Sequence, residues 1–106
     1  MTSITKGSGN VYRDLGVADA DRMQAKATLA AAIAESMRRR GLTQTAAAVL
    51  AGLPQPKLSA LLHGEFRGIS EAKMLTCLNR LGHDVEIVVR RTVRRAGGRT
   101  RVVTRG

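Results

Sequence analysis

The chain has 106 residues, the size of one ordinary domain. It carries 18 Lys and Arg against 8 Asp and Glu, which gives a formal net charge of +10 at pH 7. This excess predicts attraction to a polyanion, either nucleic acid or an anionic membrane surface. With one Tyr, one Phe and no Trp, the chain lacks the aromatic platforms that stack single-stranded bases or line an RNA-binding sheet. The composition therefore disfavours both of those recognition classes.

Other protein classes are disfavoured by what the sequence does not contain. No apolar run approaches the roughly 20 residues that span a bilayer, and no charged-then-apolar leader opens the chain. Cys77 is the single cysteine and cannot form an internal disulfide, which favours a cytoplasmic protein. Attraction to nucleic acid would make that protein nucleoid-associated. The acids form no acid–base pair, and His63 and His83 have no second ligand at metal spacing. We therefore expect no metal, no cofactor and no enzymatic activity.

The first long helix is predicted after a polar arm. Residues 1–18 show no helical or strand period and predict an N-terminal arm with a short ordered patch around Val11, Tyr12 and Leu15. Asp19 or Asp21 is expected to cap a helix that runs without Gly or Pro to residue 40. Gly41 is expected to end it. Apolar residues recur along this helix at helical spacing: Met23, Ala27, Ala30, Ile33 and Met37.

Three shorter helices follow and complete a predicted domain over residues 19–82. The first runs from Thr43 to about Ala51, and the next begins at Pro54 and ends at Leu62 or His63. The fourth is capped by Ser70 and runs to Leu81 with Met74, Leu75, Leu78 and Leu81 on one face. The sharp turn between the two short helices is expected to need Gly52. Five residues of this pair are predicted to face the core: Ala47, Ala51, Leu53, Leu58 and Leu61.

Residues 83–106 form a basic C-terminal segment of different character. The β-branched run at Val85–Val89 predicts a strand, and Gly97-Gly98 indicates a hairpin turn, although a block of like charges also suits a disordered tail. The strand would pair within the chain or with the same strand of a second copy. From residue 90 onward there is no acid but there are seven arginines: Arg90, Arg91, Arg94, Arg95, Arg99, Arg101 and Arg105. They would contact DNA phosphates or an acidic protein surface.

The stretch TQTAAAVLAGLPQPKLSALLHG, residues 43–64, resembles the helix-turn-helix of lambda-repressor-like, or Xre-family, transcriptional regulators. The resemblance implies an all-α bundle that binds double-stranded DNA and represses its own operon. Together with the C-terminal strand or hairpin predicted above, it favours a homodimer, because a two-fold pair presents two recognition helices to successive major grooves. The segments Gly9–Gly16 and Leu81–Ile87 resemble a narrower, HigA-like antitoxin branch. That branch implies the alternative function of neutralising a small RelE-like or HigB-like toxin.

The resemblance also implies roles for individual residues. Gln55 matches a base-reading position, where its amide can bond bidentately to adenine, and Lys57 would donate to guanine or a phosphate. Pro56 and Ala60 would offer apolar contacts to bases. Backbone contacts are expected from Thr43, Gln44, Ser59, His63 and Arg67. Pro54 and Pro56 depart from the polar residues common at their positions, which leaves the base preference open.

Two less specific interpretations of the same features remain. A helix pair with a glycine turn also occurs in structural bundles and helical repeats. The charge alone would suit a non-specific nucleoid or membrane-surface protein, which would show little preference between DNA sequences.

Overall fold

A computed structural model describes residues 20–105 of the chain. Within this range there are four helices and no strand: α1 (Ala20–Arg40), α2 (Gln44–Ala51), α3 (Gln55–Leu62) and α4 (Glu71–Arg80). α1 packs against α3 and α4, and α2 packs against the same two helices. The predicted all-α bundle is confirmed. The expected N-terminal arm, its patch around Val11, Tyr12 and Leu15, and a cap at Asp19 lie outside the described residues.

α1 forms because its 21 residues contain good helix formers and suitable charges at both ends. Asp21 lies in the first turn and three arginines lie in the last turn, where each charge sign favours the helix dipole. Gly41 follows with a positive φ of 64°, as a C-terminal glycine should. The predicted apolar stripe faces the core, with Ala27 half-buried and the other four residues buried. None of the described helices is long and apolar enough to cross a membrane.

The turn between α2 and α3 has the geometry that the sequence predicts. Thr43 caps α2, its side-chain oxygen accepting the Ala46 N–H at 3.1 Å. Gly52 adopts a left-handed conformation, with φ 75°, and its N–H donates to the carbonyls of Ala48 and Val49. All five residues predicted to be the core of this pair are buried. α3, however, begins at Gln55 rather than at Pro54, because Pro54 adopts an extended ψ of 141° and serves as the N-cap residue.

α4 closes the bundle and fixes where the chain leaves it. Ser70 caps the helix by accepting the Lys73 N–H at 3.1 Å, as predicted. The carbonyl of Leu81, just past α4, accepts hydrogen bonds from Ser36 Oγ at 3.4 Å and from Arg40 Nη1 at 3.0 Å. Both donors lie in the last two turns of α1. The C-terminal segment therefore leaves the bundle beside the C-terminal end of α1.

Residues 83–105, here called the C-terminal arm, show neither the predicted strand at Val85–Val89 nor a hairpin ladder. The turn also lies earlier than expected, because the Gly97 N–H donates to the Arg94 carbonyl at 3.3 Å and the central residues are Arg95 and Ala96. A single strand has no ladder partner, and the arginines on both sides of the turn repel each other. Val102 nonetheless returns to the bundle and packs against its core.

Candidate nucleic-acid interface

α3 has one buried side and one exposed side. Leu58 and Leu61 are each 1% exposed and anchor the helix in the core. Gln55, Pro56 and Lys57 form an exposed first turn, and Ser59 and Ala60 behind them are partly exposed. Side chains at the exposed start of a helix are the ones that can enter a groove first. The structure therefore brings the predicted base-contacting residues Gln55, Pro56, Lys57 and Ala60 together on the outer half of one helix.

The side chain of Gln55 is oriented by a residue of α2. Thr45 Oγ1 donates a hydrogen bond to Gln55 Oε1 at 3.4 Å. Gln44, which is predicted to contact the DNA backbone, is the first residue of α2, directly before Thr45. Sequence reasoning missed Thr45. The signal for it was available, since Thr45 is a short hydroxyl residue in the first turn of α2, on the same helix that packs against α3.

The loop between α3 and α4 carries the exposed Arg67 and is held from two sides. Phe66 and Ile69 are buried and fix the ends of the segment Phe66–Ile69 in the core. Lys57 Nζ donates to the Gly68 carbonyl at 2.7 Å. Lys26 Nζ, on α1, donates to the Phe66 carbonyl at 3.1 Å. Lys57 is thus engaged with its own protein, and Lys26 is a contributor that the sequence analysis did not single out.

The C-terminal turn of α3 has a defined histidine. His63 Nδ1 lies 2.7 Å from the Ser59 carbonyl oxygen. Because a carbonyl can only accept, Nδ1 must carry the proton, and the outer nitrogen Nε2 remains available for another contact. The positions predicted to touch the DNA backbone thus fall in three places: the start of α2 (Thr43 and Gln44), the end of α3 (Ser59 and His63) and the following loop (Arg67).

The loop and the C-terminal arm lie at different ends of α1. Lys26 contacts the loop, and Arg40 contacts Leu81, two residues before the arm. The two contacts are 14 residues of helix apart, about 21 Å at about 1.5 Å per residue. All seven arginines of the arm are exposed. The arm therefore starts far from the loop that carries Arg67.

Among the described residues there is no cluster of three or more His, Cys, Asp or Glu that could hold a metal ion. Cys77 is fully buried, and its Sγ lies 3.8 Å from the carbonyl oxygen of Ala51. Burial raises the pKa of this thiol, although Lys73 and Arg80 oppose the shift. Cys77 is therefore a residue of the hydrophobic core.

The comparisons with known proteins agree with this geometry. A family model described as a helix-turn-helix domain matches residues 11–90. The chain belongs to this helix-turn-helix family. A solved structure named "Putative XRE Family Transcriptional Regulator" is similar at 44% identity and a TM-score of 0.73, covering 81% of this chain and 98% of the other. The Xre-type resemblance is thereby confirmed. No match was found among the curated proteins.

Proposed function

We propose that this helix-turn-helix protein is a sequence-specific, DNA-binding transcriptional regulator that represses its own operon. α3 would lie in the major groove with Gln55, Pro56 and Ala60 toward the bases. The single observation that carries the proposal is the exposed first turn of α3, held on a rigid helix pair and braced by the Thr45–Gln55 hydrogen bond. The family match and the net charge of +10 support the same function.

Phosphate contacts would flank the recognition helix on both sides. Thr43 and Gln44 lie at the N-terminal end of α2, where unsatisfied N–H groups and the helix dipole favour an anion. Arg67 lies on the loop after α3. Such contacts position the protein on the duplex without reading its sequence.

The test is fluorescence-anisotropy binding to the duplex upstream of the gene and to a scrambled duplex of equal length, at several salt concentrations. A preference for the native duplex that persists near physiological salt supports the proposal. Gln55→Ala should reduce that preference by about 1–3 kcal/mol, whereas Gln24→Ala, a matched change on α1, should not. Equal binding to both duplexes that collapses together as salt rises would contradict sequence-specific readout.

A two-fold dimer is the assembly that we propose for DNA binding. The C-terminal arm exposes large apolar side chains, with Ile87 75% and Val89 90% exposed. Pairing the arm with that of a second copy would cover these side chains and supply the strand partner that the single chain lacks. Two recognition helices would then reach successive major grooves about 34 Å apart.

The same exposed arm favours one second candidate function, that of an antitoxin for a small RelE-like or HigB-like toxin. The segment Leu81–Ile87, which resembles the HigA-like branch, lies where the C-terminal arm leaves the bundle. Co-expression with the genes next to it tests the idea. Co-purification of a small protein that inhibits growth when expressed alone would support it, and the absence of any such partner would contradict it.

A further inference from the structure

Lys26 is a buried cation whose position the proposed function does not yet explain. Its residue is 6% exposed, although lysine is almost never buried without a partner. Its ammonium has three N–H donors, and within residues 20–105 its hydrogen bond is to the Phe66 carbonyl, 40 positions along the chain, at 3.1 Å. Burying an ammonium group that has a single neutral hydrogen-bond acceptor costs free energy. An apolar side chain of the same length would therefore leave the fold at least as stable.

The target of Lys26 is also the target of a second lysine. Three lysines lie in the described residues, and two of them donate to the loop between α3 and α4: Lys26 to Phe66 and Lys57 to Gly68, the latter at 2.7 Å. One lysine comes from α1 and the other from α3. The segment from Phe66 to Gly68 is therefore held by its carbonyl groups between two helices.

Holding the carbonyls sets the direction of an amide. The peptide bond is trans, with no cis bond in the described chain, so the Phe66 carbonyl and the Arg67 N–H point in opposite directions. Since that carbonyl points to buried Lys26, the Arg67 N–H points away from the core. No protein acceptor for this N–H is found within residues 20–105, and the Arg67 side chain beside it is exposed. An outward amide next to a guanidinium suits a phosphate oxygen.

We infer that Lys26 and Lys57 are positioning residues for DNA binding, which hold the Phe66–Gly68 segment so that the Arg67 amide and side chain meet a DNA phosphate. The inference rests on the proposed function for its ligand. It gives Lys57 a role different from the direct contact to guanine or a phosphate that is expected from the sequence. It also explains why a buried lysine is present where an apolar residue would cost less.

A DNA-free measurement tests the holding of the loop. Ile69 N–H donates to the same Phe66 carbonyl, at 3.2 Å, and its hydrogen exchange therefore reports on the order of the segment. Lys26→Met and Lys57→Met are each expected to speed this exchange, while amides of α4 stay protected. Lys73→Met removes the same charge from an exposed position on α4 and should leave Ile69 unchanged. Unchanged exchange in both loop variants would overturn the inference.

Binding measurements then test the consequence for DNA. Because Lys26 is buried, its side chain does not reach a duplex directly. If Lys26→Met is at least as stable to unfolding as the wild type and still loses DNA affinity, the loss must act through the loop. We expect a loss of about tenfold or more on native and scrambled duplexes alike, as for a lost charged hydrogen bond. Lys57→Met should lose affinity to a similar extent. The double variant should lose less affinity than the product of the two single-variant fold losses, because both lysines hold the same segment.

Three results discriminate the remaining outcomes. A change in the ratio of native to scrambled binding in Lys57→Met would mean that Lys57 reads a base, and would overturn its positioning role. Unchanged affinity in Lys26→Met would overturn the role of Lys26. If the wild-type protein binds no duplex even at low salt, the proposed function fails and the phosphate role fails with it, while Ile69 exchange still decides whether the two lysines hold the loop.

Discussion

Thr45 Oγ1 lies 3.4 Å from Gln55 Oε1 and links the first turn of α2 to the first turn of α3. Both residues are exposed, so this bond adds little to the free energy of folding. Its effect is on the amide of Gln55: the hydroxyl engages one oxygen lone pair and leaves the other lone pair and the NH₂ group for the base contact that we propose. An oriented amide loses less side-chain entropy when it binds.

Thr45→Val should therefore weaken base readout while leaving the fold intact. Valine keeps the shape and removes the donor, so the loss should be that of one hydrogen bond, about 0.5–1.5 kcal/mol in the preference for native over scrambled duplex. Competition binding of the two duplexes measures it. Thr76→Val, an exposed threonine on α4 whose hydroxyl donates to the Ala72 carbonyl, is the matched control. An equal effect of both changes would contradict the role of Thr45.

Gly52→Ala should destabilise the fold through the backbone conformation at this turn. Its φ of 75° lies in the left-handed region, whereas a Cβ added there would meet Arg80 at an ordinary 3.5 Å. The cost of Gly52→Ala is therefore backbone strain and not a clash, about 1–2 kcal/mol. Urea unfolding measures this loss. Gly98→Ala, on the C-terminal arm without a positive φ, should be close to neutral, and a loss of similar size there would show that strain is not the cause.

Most of the bundle could be predicted from local rules. Helical spacing of apolar residues, caps such as Thr43 and Ser70, and Gly52 in the tight turn act within a few residues, so the sequence displays them directly. The sequence predicts the start of α3 one residue too early, at Pro54 instead of Gln55. Proline suits both the N-cap position and the first turn, and this segment has a proline in each, Pro54 and Pro56. The choice between them depends on backbone angles that the sequence does not display.

The site was less predictable, because its contacts are long-range. Helical spacing places Lys26 on the same face as Met23 and Ala30. It does not show that Lys26 meets Phe66, which lies 40 positions along the chain. Lys57 was correctly placed on the exposed side of α3 but its partner Gly68, 11 positions away, depends on the path of the loop. The arm was predicted as a strand from β-branched residues, yet strand formation requires a partner edge that composition cannot supply.

The thiol of Cys77 should be unreactive in the folded protein and should make stability fall at alkaline pH. Burial raises the pKa of this thiol above the ordinary 9.0. Above pH 9.0, the unfolded chain loses the thiol proton while the folded chain keeps it, so this contribution to stability is present below that pH and is lost above it.

Urea unfolding between pH 7 and 11 checks the sign when the wild type is compared with Cys77→Ala. The alanine variant is less stable at neutral pH because of the cavity, but it should show a shallower alkaline decline. A thiol reagent at neutral pH should label Cys77 only as fast as the protein unfolds. Identical alkaline slopes, together with rapid labelling of the folded protein, would contradict the buried, raised-pKa thiol.

The C-terminal arm makes the most specific prediction about assembly. In an extended segment alternate side chains share a side, so Val85, Ile87 and Val89 lie together and Val88 lies opposite. Ile87→Asp should convert the proposed dimer to monomers in sedimentation experiments, whereas Val88→Asp should remain dimeric.

The arm also carries seven arginines, so pairing two arms brings like charges together. Added salt should therefore strengthen dimerisation while it weakens DNA binding, because salt screens the repulsion between the paired arms and reduces the free energy gained when counterions leave the DNA. A wild-type protein that stays monomeric at high concentration and high salt would rule out this mode of pairing. If Ile87→Asp and Val88→Asp have the same oligomeric state, the side chains at these two positions do not define a paired face.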